Sequence, residues 1–189
     1  VMNSPSFTQE MMFEFTTEDI MGKNESSPKT LDDVMSEMDE FIGMNSIKEA
    51  IRRLAVQVVF MQQRLQLGIG NAEPMAVNIV LTGNPGTGKT SIARKMGELL
   101  KAVGMLPTDN VIEVDRNQMV GKYMGETPKL VNALCDRAMG GVLFIDEAYT
   151  LYESDGSSGD KYGKEAIEAL MKRMEDDRGK FVVIAAGYR

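Results

Sequence analysis

Gly83-Asn84-Pro85-Gly86-Thr87-Gly88-Lys89-Thr90 fits the pattern G-x-x-x-x-G-K-[ST]. That spacing suits a phosphate. Small residues let successive backbone N–H groups curl around an anion, and a helix opening at the end of the run adds the positive end of its dipole. A lysine at this place pairs with β- and γ-phosphates, and a hydroxyl beside it can ligate Mg2+. Lys89 and Thr90 are the candidates for those tasks, and Gly83, Asn84, Pro85, Gly86, Thr87, Gly88 and Ser91 complete the cradle. An accidental glycine-rich turn is the alternative. The context that separates the two is a strand before the run and a helix after it.

Val142-Leu143-Phe144-Ile145 ends in Asp146-Glu147, about fifty residues further on. Two carboxylates at the C-terminal edge of a parallel strand stand where α/β sheets bind ligands. Asp146 is the candidate for the Mg2+ shell, and Glu147 for the general base that orients and polarises water. Alone, a strand ending in Asp-Glu is as well read as a solvated strand end. Together with the phosphate loop it completes a hydrolytic site. A later apolar run, Phe181–Ala186, leads into Gly187-Tyr188-Arg189, where a polar side chain could reach a γ-phosphate or simply mark a strand exit.

These residues need elements to hold them. Thr30 with Asp33 resembles a capping box, and Leu31, Val34, Met38, Phe41 and Ile42 follow helical spacing up to Gly43. Ser46 and Glu49 repeat the signature. Ile47, Ile51, Leu54, Val58, Met61 and Leu65 then form a second stripe that ends near Gly68. Afterwards strands at 76–81, 111–114, 142–145 and 181–186 alternate with helices at 91–103, 128–139 and 164–174. Such alternation implies an α/β fold: a parallel sheet with helices on both faces, a three-layer sandwich. Residues 1–29 read as a tail or linker, and 30–189 as the nucleotide-binding core. Because the chain stops directly after a buried strand, it is expected to be part of a longer protein.

Composition narrows the chemistry further. The 189 residues contain no histidine, so histidine triads, histidine metal sites and histidine bases are excluded. One cysteine, Cys135, excludes an internal disulfide framework; mid-helix among apolar neighbours, it reads as a small hydrophobe rather than a nucleophile. The 16 methionines read mostly as core filler. A net charge of −7 with no basic cluster argues against nucleic acid. No apolar run reaches about 18 residues, so no membrane span is expected and a cytoplasmic protein is the default.

Several segments occur together in order: the phosphate loop; Glu113-Val114-Asp115-Arg116; Val120-Gly121-Lys122-Tyr123-Met124-Gly125-Glu126-Thr127; Gly140 to Tyr149; Gly163-Lys164-Glu165-Ala166-Ile167; and Ala186-Gly187-Tyr188. In this combination residues 30–189 resemble the AAA+ ATPases of the CbbX type, a group that includes red-type Rubisco activases, sporulation ATPases and ATPases of type VII secretion. The resemblance implies a P-loop NTPase fold of AAA+ type, ATP and Mg2+ as ligands, and a homo-oligomer, a hexameric ring, acting on a protein client. Tyr123-Met124-Gly125 matches the aromatic–hydrophobic–glycine pore loop, although a packed loop aromatic is the alternative. Residues 155–162 resemble a second pore-facing loop or a mobile surface loop. Ile42 and Gly43, with Phe41, stand where the family packs adenine, or at the end of a core helix. Tyr188 stands at the sensor position, where many relatives carry asparagine.

The family's arginine finger and helical lid follow the sensor strand, so this chain is expected to end before both. Phe15 to Ile20 is similar to the close of such a lid, which implies a preceding module; a generic acidic tail is the alternative. The favoured function is an ATPase that remodels a protein client through a ring pore. A nucleotide-gated scaffold with little hydrolysis is the alternative, and Glu147 argues for the former. A DNA-handling ATPase is disfavoured by charge. A GTPase is disfavoured because no Asn-Lys-x-Asp sequence occurs.

Overall fold

A computed structural model describes residues 29–39, 45–69, 75–152 and 161–188. The first helix, α1 (Leu31–Asp39), starts where the sequence signals it. The Thr30 N–H donates to the Asp33 carboxylate at 2.9 Å, and the Asp33 N–H donates to the Thr30 hydroxyl at 3.3 Å. Two N–H groups with no helical acceptor are thereby satisfied. The signal at Ser46 works differently. Helix α2 (Asn45–Gln66) begins one residue earlier, so Ser46 lies in its first turn. Along α2, Ile51, Ala55 and Val58 are buried, but Met61 is 39% exposed. Gly68, at φ 68°, closes the helix, and the Ile69 N–H donates back to the Arg64 carbonyl at 2.9 Å.

Four parallel strands follow: β1 (Asn78–Thr82), β2 (Val111–Val114), β3 (Val142–Ile145) and β4 (Val182–Gly187). Their spatial order is β1-β4-β3-β2. β3 is buried along its whole length, which is why its sequence is an unbroken apolar run. β1 lies at the edge, and Val80 there is 74% exposed. It begins two residues later than the apolar run and includes Thr82. Between the strands come α3 (Lys89–Ala102), α4 (Arg116–Met119), α5 (Thr127–Ala138), a 3-10 turn (Ala148–Leu151) and α6 (Lys161–Asp176). Helix α4 and the 3-10 turn escape a periodicity reading because four residues make barely one turn.

Alternate side chains of the sheet build two cores. Val142, Phe144, Val182 and Ile184 pack with α1, α2 and α3 through Val34, Ile51, Met96 and Leu99. Leu143, Ile145 and Val183 pack with α5 and α6 through Val131, Leu134, Ala166 and Leu170. The result is the expected three-layer sandwich. Cys135 is wholly buried in the second core, and desolvation pushes its thiol up to about 11. No helix among the described residues is long and apolar enough to cross a membrane.

An ion network fastens α1 to α3. Lys29 Nζ donates to Glu37 at 2.8 Å and to Glu98 at 2.9 Å, while Lys95 reaches Glu37 and, at 2.9 Å, Glu98. Residue 29 is thus already bonded to the folded body, whereas 1–28 lie outside the described residues. Hydrogen bonds from Lys29 and then Lys95 draw the Glu37 carboxyl down from 4.5 to about 2. A depressed carboxyl contributes stability above its unfolded value and loses it as pH falls through the folded one. Glu37→Gln should therefore lower the thermal midpoint at pH 7. The deficit should shrink below about pH 4.5 and vanish near pH 2, read by circular dichroism melts. A pH-independent deficit would mean that the charge is not what holds α1.

Candidate functional site

The loop after β1 has the shape its residue types require. It starts pinned, the Gly83 N–H donating to the Gly187 carbonyl at 3.0 Å. Gly86 and Gly88 lie at φ 76° and 79°, the left-handed region that side chains disfavour. Thr87 Oγ1 donates to the Asn84 carbonyl at 2.7 Å. Lys89 Nζ folds back over the loop, donating to the carbonyls of Gly83 at 3.0 Å and Asn84 at 3.1 Å. An ammonium has three N–H groups, so a third is left for an anion. No side chain caps α3. Its first N–H groups have no intrahelical acceptor, and they open toward the loop with the dipole behind them.

Pro85, Gly86, Gly88, Lys89, Thr90, Asp146, Glu147, Tyr149, Gly187 and Tyr188 line one cleft of about 370 Å³. Strand order explains the gathering. β4 pairs with β1 on one side and β3 on the other, so their C-terminal ends lie together. The Asp146 N–H extends the β2–β3 ladder to the Val114 carbonyl at 2.9 Å, and its Oδ1 accepts the Glu147 N–H at 3.0 Å. Glu147 has φ 47° and ψ 43°, the one non-glycine residue with positive φ among those described. The Tyr188 ring meets Tyr149 edge to face, with centroids 4.5 Å apart.

Among the described residues, no three His, Cys, Asp or Glu side chains gather to hold a metal alone. Mg2+ does not need that. It keeps waters and takes substrate phosphates plus one or two protein oxygens, and Thr90 with Asp146 offers two in one cleft. The arrangement can therefore hold a polyphosphate at the loop and present two carboxylates to its outer end.

Not every candidate lines this cleft. Gly83 and Thr87 line an adjoining groove with Lys89, while Asn84 and Ser91 are exposed nearby. Ile42 and Gly43 lie outside the described residues, as does 153–160 of the second loop; Lys161 and Tyr162 are helical, in α6. Tyr123 and Met124 are 71% and 81% exposed, which overturns the reading of a packed loop aromatic. Their loop is nonetheless firmly based. The N–H groups of Lys122 and Tyr123 both donate to Glu126 Oε2 at 3.1 Å, and the Gly121 N–H donates to the fully buried Thr127 hydroxyl at 3.0 Å. A Cβ on Gly121 would stand 2.4 Å from that of Glu126. Residue chemistry alone did not single out Tyr149, Thr150 or Arg116. Tyr149 lines the cleft, and Thr150 and Arg116 sit behind Glu147. Their one signal was proximity in sequence to a carboxylate pair or a strand end.

Residues 79–189 match the model of the ATPase family associated with various cellular activities (AAA). The chain is 43% identical over 157 residues to protein CbbX of Cereibacter sphaeroides, covering 82% of this chain and 50% of that protein. It is 41% identical over 160 residues to a chloroplastic ribulose bisphosphate carboxylase/oxygenase activase of Cyanidioschyzon merolae, covering 84% and 54%. With stage V sporulation protein K of Bacillus subtilis the identity is 38% over 167 residues, covering 88% and 50%. The chain spans about half the length of these curated relatives.

The left-handed backbone at Glu147 makes a stability difference measurable. An L side chain there costs about 1–2 kcal/mol that glycine avoids. Glu147→Gly should consequently be more stable than Glu147→Ala by about 1 kcal/mol in denaturant titration. Equal midpoints would show that the left-handed turn is not kept.

Proposed function

The chain belongs to the AAA family of ATPases and is of the CbbX type, and from that premise we propose that its cleft binds MgATP and hydrolyses it to drive remodelling of a protein client. The observation that carries the reading is the single cleft shared by the glycine-rich loop, Lys89, Thr90 and the Asp146–Glu147 pair. The loop N–H groups and Lys89 hold the β- and γ-phosphates. Thr90 Oγ1 and Asp146 would hold Mg2+, which when bound neutralises charge on the phosphate oxygens. Glu147 accepts a proton from the attacking water. The water oxygen bonds to the γ-phosphorus, the bond to the bridging oxygen breaks, and ADP leaves with that electron pair. Tyr188, between the two strands that carry the other groups, lies where it can report on the γ-phosphate.

Tyr123 and Met124 lie outside this cleft, exposed on a rigidly based loop. That suits a grip on an extended polypeptide in a ring of identical subunits, hexameric in our reading. A neighbouring subunit's arginine would complete each site, a contribution of about 10³–10⁵ in rate in related phosphoryl transfer. Ile42 and Gly43 are the candidates for the adenine wall. The −7 charge favours a protein client over nucleic acid.

Lys89→Ala should abolish MgATP binding in a fluorescent-nucleotide titration, and unchanged affinity would remove the loop from the site. Glu147→Gln should keep binding and stop turnover. Specific ATPase activity of the full-length protein should rise with concentration if neighbours complete the sites. Tight binding without any Glu147-dependent turnover would instead mean a nucleotide-gated scaffold. Tyr123→Ala should leave basal hydrolysis within about twofold yet uncouple remodelling, since the side chain stands outside the cleft; intact remodelling would end the pore-loop reading.

A further inference from the structure

Glu147 keeps its left-handed backbone through a traceable set of hydrogen bonds. Its carbonyl accepts twice from Thr150, from the N–H at 2.9 Å and from Oγ1 at 2.7 Å. The Thr150 carbonyl in turn accepts from Arg116 Nη1 at 2.7 Å, a part-buried contact between residues 34 apart in sequence. Arg116 opens α4. The N-terminus of that helix is fixed by a reciprocal cap: the Gln118 N–H donates to Asp115 at 3.2 Å, and the Asp115 N–H to Gln118 at 3.0 Å. Its far end returns to the same residue, the Val120 N–H donating to the Arg116 carbonyl at 2.9 Å. Gly121 and the loop carrying Tyr123 come next.

A hydroxyl bonded to a carbonyl three residues back is by itself an ordinary local turn. The Arg116 contact makes it more than that, because it ties the turn to a different strand–helix junction. We propose that Arg116 and Thr150 are positioning residues that lock the Glu147 backbone left-handed and fasten it to the base of the Tyr123 loop. The proposal rests on the reading of Glu147 as general base. A left-handed glutamate released from its grip relaxes toward the common backbone regions, which swings its carboxylate. A displacement near 1 Å is enough to cost on the order of a hundredfold in rate. The Thr150 N–H survives any substitution there except proline, so losing Oγ1 alone costs less. By the same bonds, a pull on the Tyr123 loop reaches Glu147 through Arg116 without passing through the nucleotide.

The test measures kcat and ATP Kd in the full-length protein for Thr150→Val, Thr150→Ser, Arg116→Ala and the Arg116→Ala/Thr150→Val double variant. Thr150→Val should lower kcat roughly tenfold with Kd within about twofold, since the phosphate loop is untouched. Thr150→Ser should restore kcat. Arg116→Ala should show the same kcat-only loss. The double variant should be no slower than the slower single, because the two residues act in series. Unchanged kcat in Thr150→Val, equal losses in the valine and serine variants, a parallel rise in Kd, or additive losses would each overturn the proposal. If Thr150→Val does not fold, Arg116→Ala decides, since it leaves both Thr150 bonds to Glu147 in place. Glu147→Gln separates the two levels. Turnover surviving in it defeats the base assignment itself, whereas an inactive Glu147→Gln beside a fully active Thr150→Val defeats only the positioning role.

Discussion

The parallel pairing of β4 between β1 and β3 is the constraint on which this molecule turns. The phosphate loop, the carboxylate pair and Tyr188 come from three separate stretches of sequence. Pairing Thr82 with Gly187, and Ile145 with Ala185, brings the three strand ends level. The first residue of the loop is then pinned to the last residue of β4 by the Gly83–Gly187 hydrogen bond. A one-residue slip of β4 would turn its side chains to the opposite faces and, in one direction, set an alanine where Ile184 now fills the first core, leaving that core short of volume. Register is therefore enforced by hydrophobic burial, and site geometry follows from register.

The ion network between α1 and α3 extends the same logic outward. α3 begins at Lys89, so whatever steadies α3 steadies the phosphate loop at its head. Lys95 and Glu98 lie on α3 and are held by Glu37 of α1 and by Lys29. Exposed pairs are individually worth little. Lys29 and the three charges on the two helices form a network, which loses less side-chain freedom per bond than separate pairs would.

Much of this fold was legible in the residues. β3 and β4 were visible as unbroken apolar runs because both are covered on their two faces, whereas β1 and β2, the outer strands, were short apolar runs that also hold Asn78 and Glu113. The glycine-rich run and Asp146–Glu147 were legible from residue type and spacing, and one cleft brings Pro85, Gly86, Gly88, Lys89 and Thr90 together with the two carboxylates. Boundaries moved by one to three residues at most elements, as at α6, which starts at Lys161 and not Lys164. Met61 keeps the helical spacing of its stripe and is still 39% exposed, because burial depends on what packs opposite a helix and not on its spacing alone. Exposure of Tyr123 was not decidable, since an aromatic in a loop packs or projects according to tertiary partners. Thr150 and Arg116 were invisible for a deeper reason. Each acts by donating a hydrogen bond to a backbone carbonyl, and many side chains can bond a carbonyl. Left-handed Glu147 could not be foreseen either: it is a local conflict that surrounding hydrogen bonds overrule, and such conflicts collect where function is placed.

Cys135 has a practical consequence. It is the sole cysteine, it is completely buried, and its thiol is raised to about 11. At neutral pH only about one such thiol in ten thousand is a thiolate, and that fraction is shielded by the second core. For maleimide dyes and spin labels the native chain is close to a blank background. A single cysteine introduced at the exposed tip beside Met124 would carry its probe alone. The motion of that loop can then be recorded within these 189 residues without first removing Cys135.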